Sequence, residues 1–397
     1  MNRTTSPGTG DGKPEIETVK VGFIPLLDCA TVLMASELGF DRRYGIRIEP
    51  VRQASWAMVR DGLTSGALDA SHALYGMVYS THLGIGSAAT DMAILMGLNH
   101  NGQAITLARG MAEQGVRDGW SLARAVRAGA GLTLAHTFST GTHAMWLAYW
   151  LAAHGVDPTR DVDRVVVPPP RMPAAVREGL VHGFCVGEPW DTLVAQSGDG
   201  IVACTTQAIW PGHPEKVLAA TDDWVGRHPN TARALVAALL DTARYLDTVS
   251  QRETVALRMS AADAIDQPQE LLADCLHGRV RDAQGRIWHD PHALAFFGDG
   301  HVTYPYLSDG MWFLTQFVRW GLLRIAPDYA GLVRDVQRID IYAEAAALAG
   351  VSLPASPNRS AVLLDGVKWD GRDPHAYATG FAVSAPVAGA DNKEVIL

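Results

Sequence analysis

A chain of 397 residues is too long for one small core and suits two lobes, each burying its own. With 48% hydrophobic and 19% charged residues its composition is that of an ordinary globular protein, which excludes a disordered chain. The formal net charge of −9 argues against a general affinity for nucleic acid or anionic membrane, so any bound anion must meet positive charge locally, inside a cleft.

Residues 1–18 (MNRTTSPGTGDGKPEIET) hold neither the apolar stretch of a signal peptide nor a lipid-attachment cysteine, and they read as a disordered tail. No run of about 18 uncharged apolar residues follows, so no transmembrane helix is expected. The four cysteines, Cys29, Cys185, Cys204 and Cys275, are scattered without a C-x-x-C pair and read as reduced, buried thiols. Together these features give the expectation of a cytoplasmic protein.

Structure begins at residues 19–26 (VKVGFIPL), an apolar run ended by a proline and an aspartate, which predicts a buried strand. Residues 30–38 carry helical spacing, with Gly39 where a helix stop belongs. Residues 46–51 alternate as a second strand, 56–65 predict a helix, and 68–72 start a third strand. This order implies a parallel sheet with helices on its faces. Ligands in such sheets sit beyond the carboxyl ends of the strands, so the loops after Ile24, Val51 and Ala70 are candidate pocket walls. A further apolar strand is expected at Ala93 to Leu95.

The organisation then restarts. Residues 132–135 predict a strand, 138–143 a loop, 144–154 an amphipathic helix, 165–167 a strand ended by three prolines, 173–179 a helix and 183–186 a strand. Two segments of like organisation imply two similar lobes with a ligand between them. From residue 229 the chain reads as mainly helical (230–258, 309–323, 340–349), opening at Pro229-Asn230 as a cap. Residues 278–305 read as loop. Residues 350–397 have little periodicity and are expected to wrap the surface or to be mobile.

Several loop residues suit a planar, monovalent, weakly basic anion, which a protein holds with edge donors, one cation and flat apolar faces. Trp56 follows the second strand and offers an indole N–H and a ring; half-buried packing explains it equally well. Gln103 offers an amide, although a glutamine in a turn is more often simply solvated. Ser139, Thr140, Gly141 and His143 lead into a helix, whose N-terminus favours anions, but many such loops are only caps. Pro169 would shape a wall, and proline punctuation is usually structural. Lys216 would be the cation, a role that few individual lysines have. No G-x-S-x-G, H-E-x-x-H, Walker A or Rossmann glycine motif occurs, and none of the 14 histidines pairs at metal-ligand spacing on a clear helix. No catalysis, metal or cofactor is expected.

Nine segments in order carry a resemblance: residues 22–28 (GFIPLLD), 53–56 (QASW), 101–103 (NGQ), 141–146 (GTHAMW), 149–152 (YWLA), 155–158 (GVDP), 168–170 (PPP), 187–190 (GEPW) and 213–216 (HPEK). The chain resembles the nitrate- and bicarbonate-binding proteins of ABC importers. That resemblance implies a two-lobed α/β fold of the periplasmic-binding-protein type (type II), with one lobe from residues 19–107 and 206–397 and the other from 108–205. It implies Trp56, Gln103, the 139–143 loop with Ser139, Thr140, Gly141 and His143, Pro169 and Lys216 as the residues around nitrate or nitrite. Without an export signal, the chain further resembles the soluble NasS-type sensors. That likeness implies a partner, an RNA-binding antiterminator of response-regulator type, released when the anion binds. The competing expectations are a substrate-binding protein of an importer for nitrate, bicarbonate or a sulfonate, and a thiamine-pyrimidine-synthase-like enzyme. The isolated Cys185 is a poor substitute for that enzyme's cysteine-rich motif.

Overall fold

The computed structural model describes residues 12–291 and 293–384, and a short strand at Val395–Ile396. Ten longer strands build two sheets. They are β1 (Thr18–Phe23), β2 (Arg47–Arg52), β3 (Ala70–Leu74), β4 (Met92–His100), β5 (Gln103–Ala108), β6 (Thr133–His136), β7 (Asp163–Val166), β8 (Gly183–Gly187), β9 (Gly200–Thr205) and β10 (Pro214–Thr221).

The first sheet has the order β2-β1-β3-β10-β4. β1 runs parallel to β2 and β3, as the alternation of strand and helix requires, but β10 is antiparallel to both β3 and β4. The parallel arrangement expected for the first three strands is found, and the antiparallel β10, with β4 beyond it, makes the whole sheet mixed. The second sheet runs Val395–Ile396, β7, β6, β8, β5, β9. There β6 is parallel to β7 and β8, whereas β5 is antiparallel to β8 and β9. Every residue of β3, β4 and β8 is buried, in keeping with sheets covered on both faces.

The chain leaves the first sheet at His100 and enters the second at Gln103. Only Asn101 (φ 58°) and Gly102 (φ 82°) lie between, both left-handed. A Cβ on Gly102 would stand 2.5 Å from Leu294 Cδ1, so glycine is required there for space as well as for φ. The return runs through residues 206–213 into β10.

Helices Ala30–Glu37, Trp56–Ser65, Thr142–Ala153 and Met172–Arg177 form where periodicity placed them. The expected helix over 230–258 is instead broken into Pro229–Leu246 and Arg252–Met259. At the break the Asp247 carboxylate accepts from the amides of Phe296, Phe297 and Gly298. A residue spent on capping a distant loop ends its own helix. Asn230 is not the cap at the start of that helix. Pro229 occupies the first turn, and the Glu15 carboxylate accepts from the Asn230 and Thr231 amides. The expected tail thus lies outside the described residues only for 1–11, and the chain is already anchored at Glu15. Within 278–305 the strands Arg279–Arg281 and Ile287–His289 pair as a hairpin.

Beyond residue 350 the described chain wraps the surface and is tied down. Arg359 donates to Asp309 and to the Gly212 carbonyl, and the buried Trp369 donates to the Ser308 carbonyl. No helix among the described residues is long and apolar enough to cross a membrane.

Candidate anion site between the two sheets

Four segments of the first sheet end at one place. After β1 the chain turns through Leu27–Cys29, which carries Asp28. After β2, Ser55 caps the helix Trp56–Ser65 by accepting from the Met58 amide, and Trp56 opens that helix fully buried. β3 supplies His72 and β10 supplies Glu215 and Lys216. Neighbours on a strand normally face opposite sides. The pairing of β10 with β4 shifts on both sides of Lys216, and this irregularity turns Glu215 and Lys216 toward one another.

The second sheet delivers Gln103 at the start of β5. It delivers Thr137 just past β6, and His143 and Trp146 from the helix Thr142–Ala153. Gly141, at the N-cap of that helix, offers no side chain to cap it, and the helix dipole directs its positive end toward this loop. Trp146 fixes the helix from behind, stacked 4.5 Å from Trp312 and edge-on to Trp210.

At the centre Lys216 Nζ donates to Asp28 Oδ2 and to Glu215 Oε1, each at 2.7 Å. Asp28 Oδ1 meets His72 Nε2 at 2.7 Å, and Glu215 Oε2 accepts from Trp146 Nε1 at 3.1 Å. The ammonium stands 5.7 Å from the Trp56 ring centroid. His143 Nδ1 meets the Thr137 hydroxyl at 2.6 Å, which directs Nε2 at Glu215 Oε1, 3.7 Å away and too far for a hydrogen bond. Gln103 lies close enough to help hold Glu215 ionised, yet its amide completes no hydrogen bond. All these groups are buried.

The unusual feature is what stays unpaired. Trp56 Nε1, His143 Nε2, both polar atoms of the Gln103 amide and His72 Nδ1 are buried without a hydrogen-bond partner. Orphaned buried donors each cost roughly 1–3 kcal/mol, and several around one ammonium amount to a niche that lacks an acceptor. A small oxyanion supplies acceptors to the donors among them at once: Trp56 Nε1, Gln103 Nε2 and, with Nδ1 accepting from Thr137, His143 Nε2.

Burial alone would raise the Asp28 carboxyl, but the Lys216 ammonium and the His72 ring hold it far below the usual carboxylate range. Burial opposes the Lys216 charge, and the two carboxylates overcome it and lift the ammonium above its ordinary value. Burial drives His143 well down and His213 down to about 3, so both rings are neutral. Asp28 therefore contributes stability that is present above its unfolded value, near 3.8, and is lost as pH falls through the lower folded value. Acid titration followed by circular dichroism should show stability falling below about pH 4, with a smaller fall in Asp28→Asn. Equal acid sensitivity in both proteins would refute the ion pair.

Of the sequence candidates, Trp56, Gln103, His143 and Lys216 meet in this niche. Gly141 forms the helix entry: a Cβ there would lie 2.6 Å from Leu74 Cδ1, and its amide is bonded to the Phe138 carbonyl. The Thr140 hydroxyl donates to Ser80 Oγ, 2.7 Å away, joining the loop to the first sheet's side. Ser139 is half-buried, and Pro169, buried at the start of the turn Pro169–Arg171, stands outside the hydrogen-bonded cluster. Sequence reasoning missed Asp28, His72, Trp146 and Glu215 as members. The signals were present: an aspartate just after an apolar strand, and a glutamate beside the one candidate lysine. Among the described residues no group of three or more His, Cys, Asp or Glu side chains is arranged to hold a metal ion.

A family model described as NMT1-like matches residues 12–260. The nitrate/nitrite binding protein NrtA of Synechocystis sp. strain PCC 6803 is 35% identical over 391 residues, covering 95% of this chain and 87% of the relative. The bicarbonate-binding protein CmpA of Synechococcus elongatus is 29% identical over 407 residues, covering 94% and 88%. The crystal structure of the periplasmic nitrate-binding protein NrtA of Synechocystis PCC 6803 superposes with a TM-score of 0.89 at 35% identity, covering 94% of this chain and all of that one. The two-lobed α/β architecture is thus that of the periplasmic binding proteins.

Proposed function

Because the chain belongs to the NMT1-like family, we propose that its two sheets close on a planar monovalent oxyanion, nitrate or nitrite, between them. The observation that carries this reading is the single buried ammonium of Lys216 encircled by the orphaned donors of Trp56, Gln103 and His143. The site is fully buried, so entry requires the sheets to part and close again by hinge motion. Hydrogen bonds to a charged group are worth roughly 1.5–3 kcal/mol each, so four of them, less the ordering cost, suit a dissociation constant of about micromolar. The chemistry is binding; no bond in the ligand is broken.

Of the two biological settings, delivery of the anion to the membrane components of an importer has the broader support, since relatives matched over most of their length are named as nitrate/nitrite binding proteins. The sensor setting, a cytoplasmic protein whose closure releases an RNA-binding antiterminator of response-regulator type, draws on the sequence resemblance alone. Affinity pull-down distinguishes them: nitrate-sensitive capture of such an antiterminator supports the sensor, and nitrate-dependent stimulation of a transporter ATPase supports import.

Ligand identity is tested by thermal shift with nitrate, nitrite, bicarbonate, sulfate and taurine. A ligand at 100 times its Kd adds about 2.7 kcal/mol to the folded state. Nitrate or nitrite should raise the melting temperature. A rise with sulfate or taurine and none with either nitrogen oxyanion would sink the reading.

A further inference from the structure

Lys216 is the only cation bonded in the niche among the described residues, and it already serves two buried carboxylates, Asp28 and Glu215. The neighbouring rings add no charge. His72, on β3, is held below its ordinary value by burial despite Asp28, and His143 and His213 lie well below theirs. His213, in the loop before β10, comes within 3.9 Å of Glu215 Oε2, but its own nitrogens are engaged by Thr206 and the Pro214 carbonyl. His136, next to the helix that carries His143, is pushed to about 3 by burial. Arg359 acts on His213 from the far side and donates to Asp309 and the Gly212 carbonyl, not to the niche.

An arriving anion would leave three negative charges on one ammonium in a dry site. Uncompensated buried charge is costly, and such groups neutralise rather than persist. Resting on the reading of the niche as an anion site, we infer that Glu215, ionised against Lys216 when the niche is empty, takes up one proton as nitrate binds. The overall step is protein plus nitrate plus one proton giving the complex, and the cluster's charge is unchanged.

Geometry selects Glu215 over Asp28. Asp28 keeps His72 and Lys216 as donors on separate oxygens. Glu215 Oε1 has Lys216 as its bonded donor, so an ammonium that turns toward nitrate leaves that oxygen bare, while Oε2 keeps the Trp146 N–H. A proton on Oε1 converts it from acceptor to donor, which suits an ion that can only accept. His143 remains neutral, because Nε2 carries the hydrogen it would donate when Nδ1 accepts from Thr137. Burial already pushes the Glu215 carboxyl upward against the pull of Lys216.

The sign follows from linkage. Glu215 holds its proton more tightly in the complex, so affinity is full below its value in the empty protein and falls about tenfold per pH unit above it. Titration calorimetry of nitrate in phosphate and in Tris, buffers of different ionisation enthalpy, counts the protons. Wild type should take up about one proton per nitrate at a pH where Glu215 of the empty niche is ionised, and its affinity should fall as the pH is raised further. Glu215→Gln, which is neutral and still donates, should bind nitrate with no uptake and no pH slope. Nitrate binding without proton uptake in wild type, or uptake that persists in Glu215→Gln, would overturn the inference while leaving the anion site standing. No nitrate binding in wild type would remove the site itself. Should the variant fail to fold, the proton count and pH slope of wild type still decide.

Discussion

Lys216→Met should lower nitrate affinity by about two to four orders of magnitude, since deleting one partner of a buried charge network costs roughly 3–5 kcal/mol. Methionine keeps much of the lysine stem's volume, so the change isolates the ammonium. Without it Asp28 and Glu215 face one another as buried carboxylates, and the Trp56 ring loses the cation near its face. The empty protein should therefore lose stability as well, and most at neutral and higher pH, where both carboxylates would be ionised. Calorimetry with nitrate and thermal melting from acid to neutral pH check both parts. Unchanged nitrate affinity in a folded Lys216→Met protein would show that the anion is held elsewhere.

Trp56→Phe is expected to separate binding from stability. The indole N–H of Trp56 is buried and unpaired in the empty niche, so removing it relieves a cost of roughly 1–3 kcal/mol, which offsets part of the cavity left by the smaller ring. Melting temperature should move little. Nitrate affinity should fall about tenfold to a hundredfold, the worth of one donor to a charged acceptor. Trp312→Phe makes the contrast. Trp312 stacks on Trp146 and donates to the Tyr377 hydroxyl, so its loss should lower the melting temperature and leave affinity nearly intact. Equal effects of the two substitutions on both readouts would contradict the assignment of Trp56 to the ligand.

Much of the fold was legible because its early elements are local. The run 19–26, the helix over 56–65 and the restart near residue 132 have periods set by burial on one or two faces, and those periods can be read without knowing the neighbours. β5, β9 and β10 were not recognised as strands. β5 and β10 are largely buried and β9 is mostly half-buried, none with clean alternation, and each pairs antiparallel with strands distant in the chain. The break at Asp247 was hidden for a related reason: its cause is a loop some fifty residues away.

The site divides in the same manner. Trp56, Gln103, His143 and Lys216 stand at loop or strand ends with donor chemistry that a sequence reader can name. The counter-charges did not stand out, because Asp28 and Glu215 acquire meaning only when β1 and β10 come to one end of a sheet. The shift in the β10 pairing that turns two consecutive side chains inward has no signature in the residues themselves. The unpaired donors are likewise a property of the assembled niche, since pairing is a fact of three dimensions.

A crystal structure grown with nitrate decides whether the niche around Lys216 is the anion site. The anion should lie between the sheets, accepting from Lys216 Nζ, Trp56 Nε1 and His143 Nε2, with the Gln103 amide at its edge. Density for nitrate only outside that niche, with Lys216 still bound solely to Asp28 and Glu215, would contradict it.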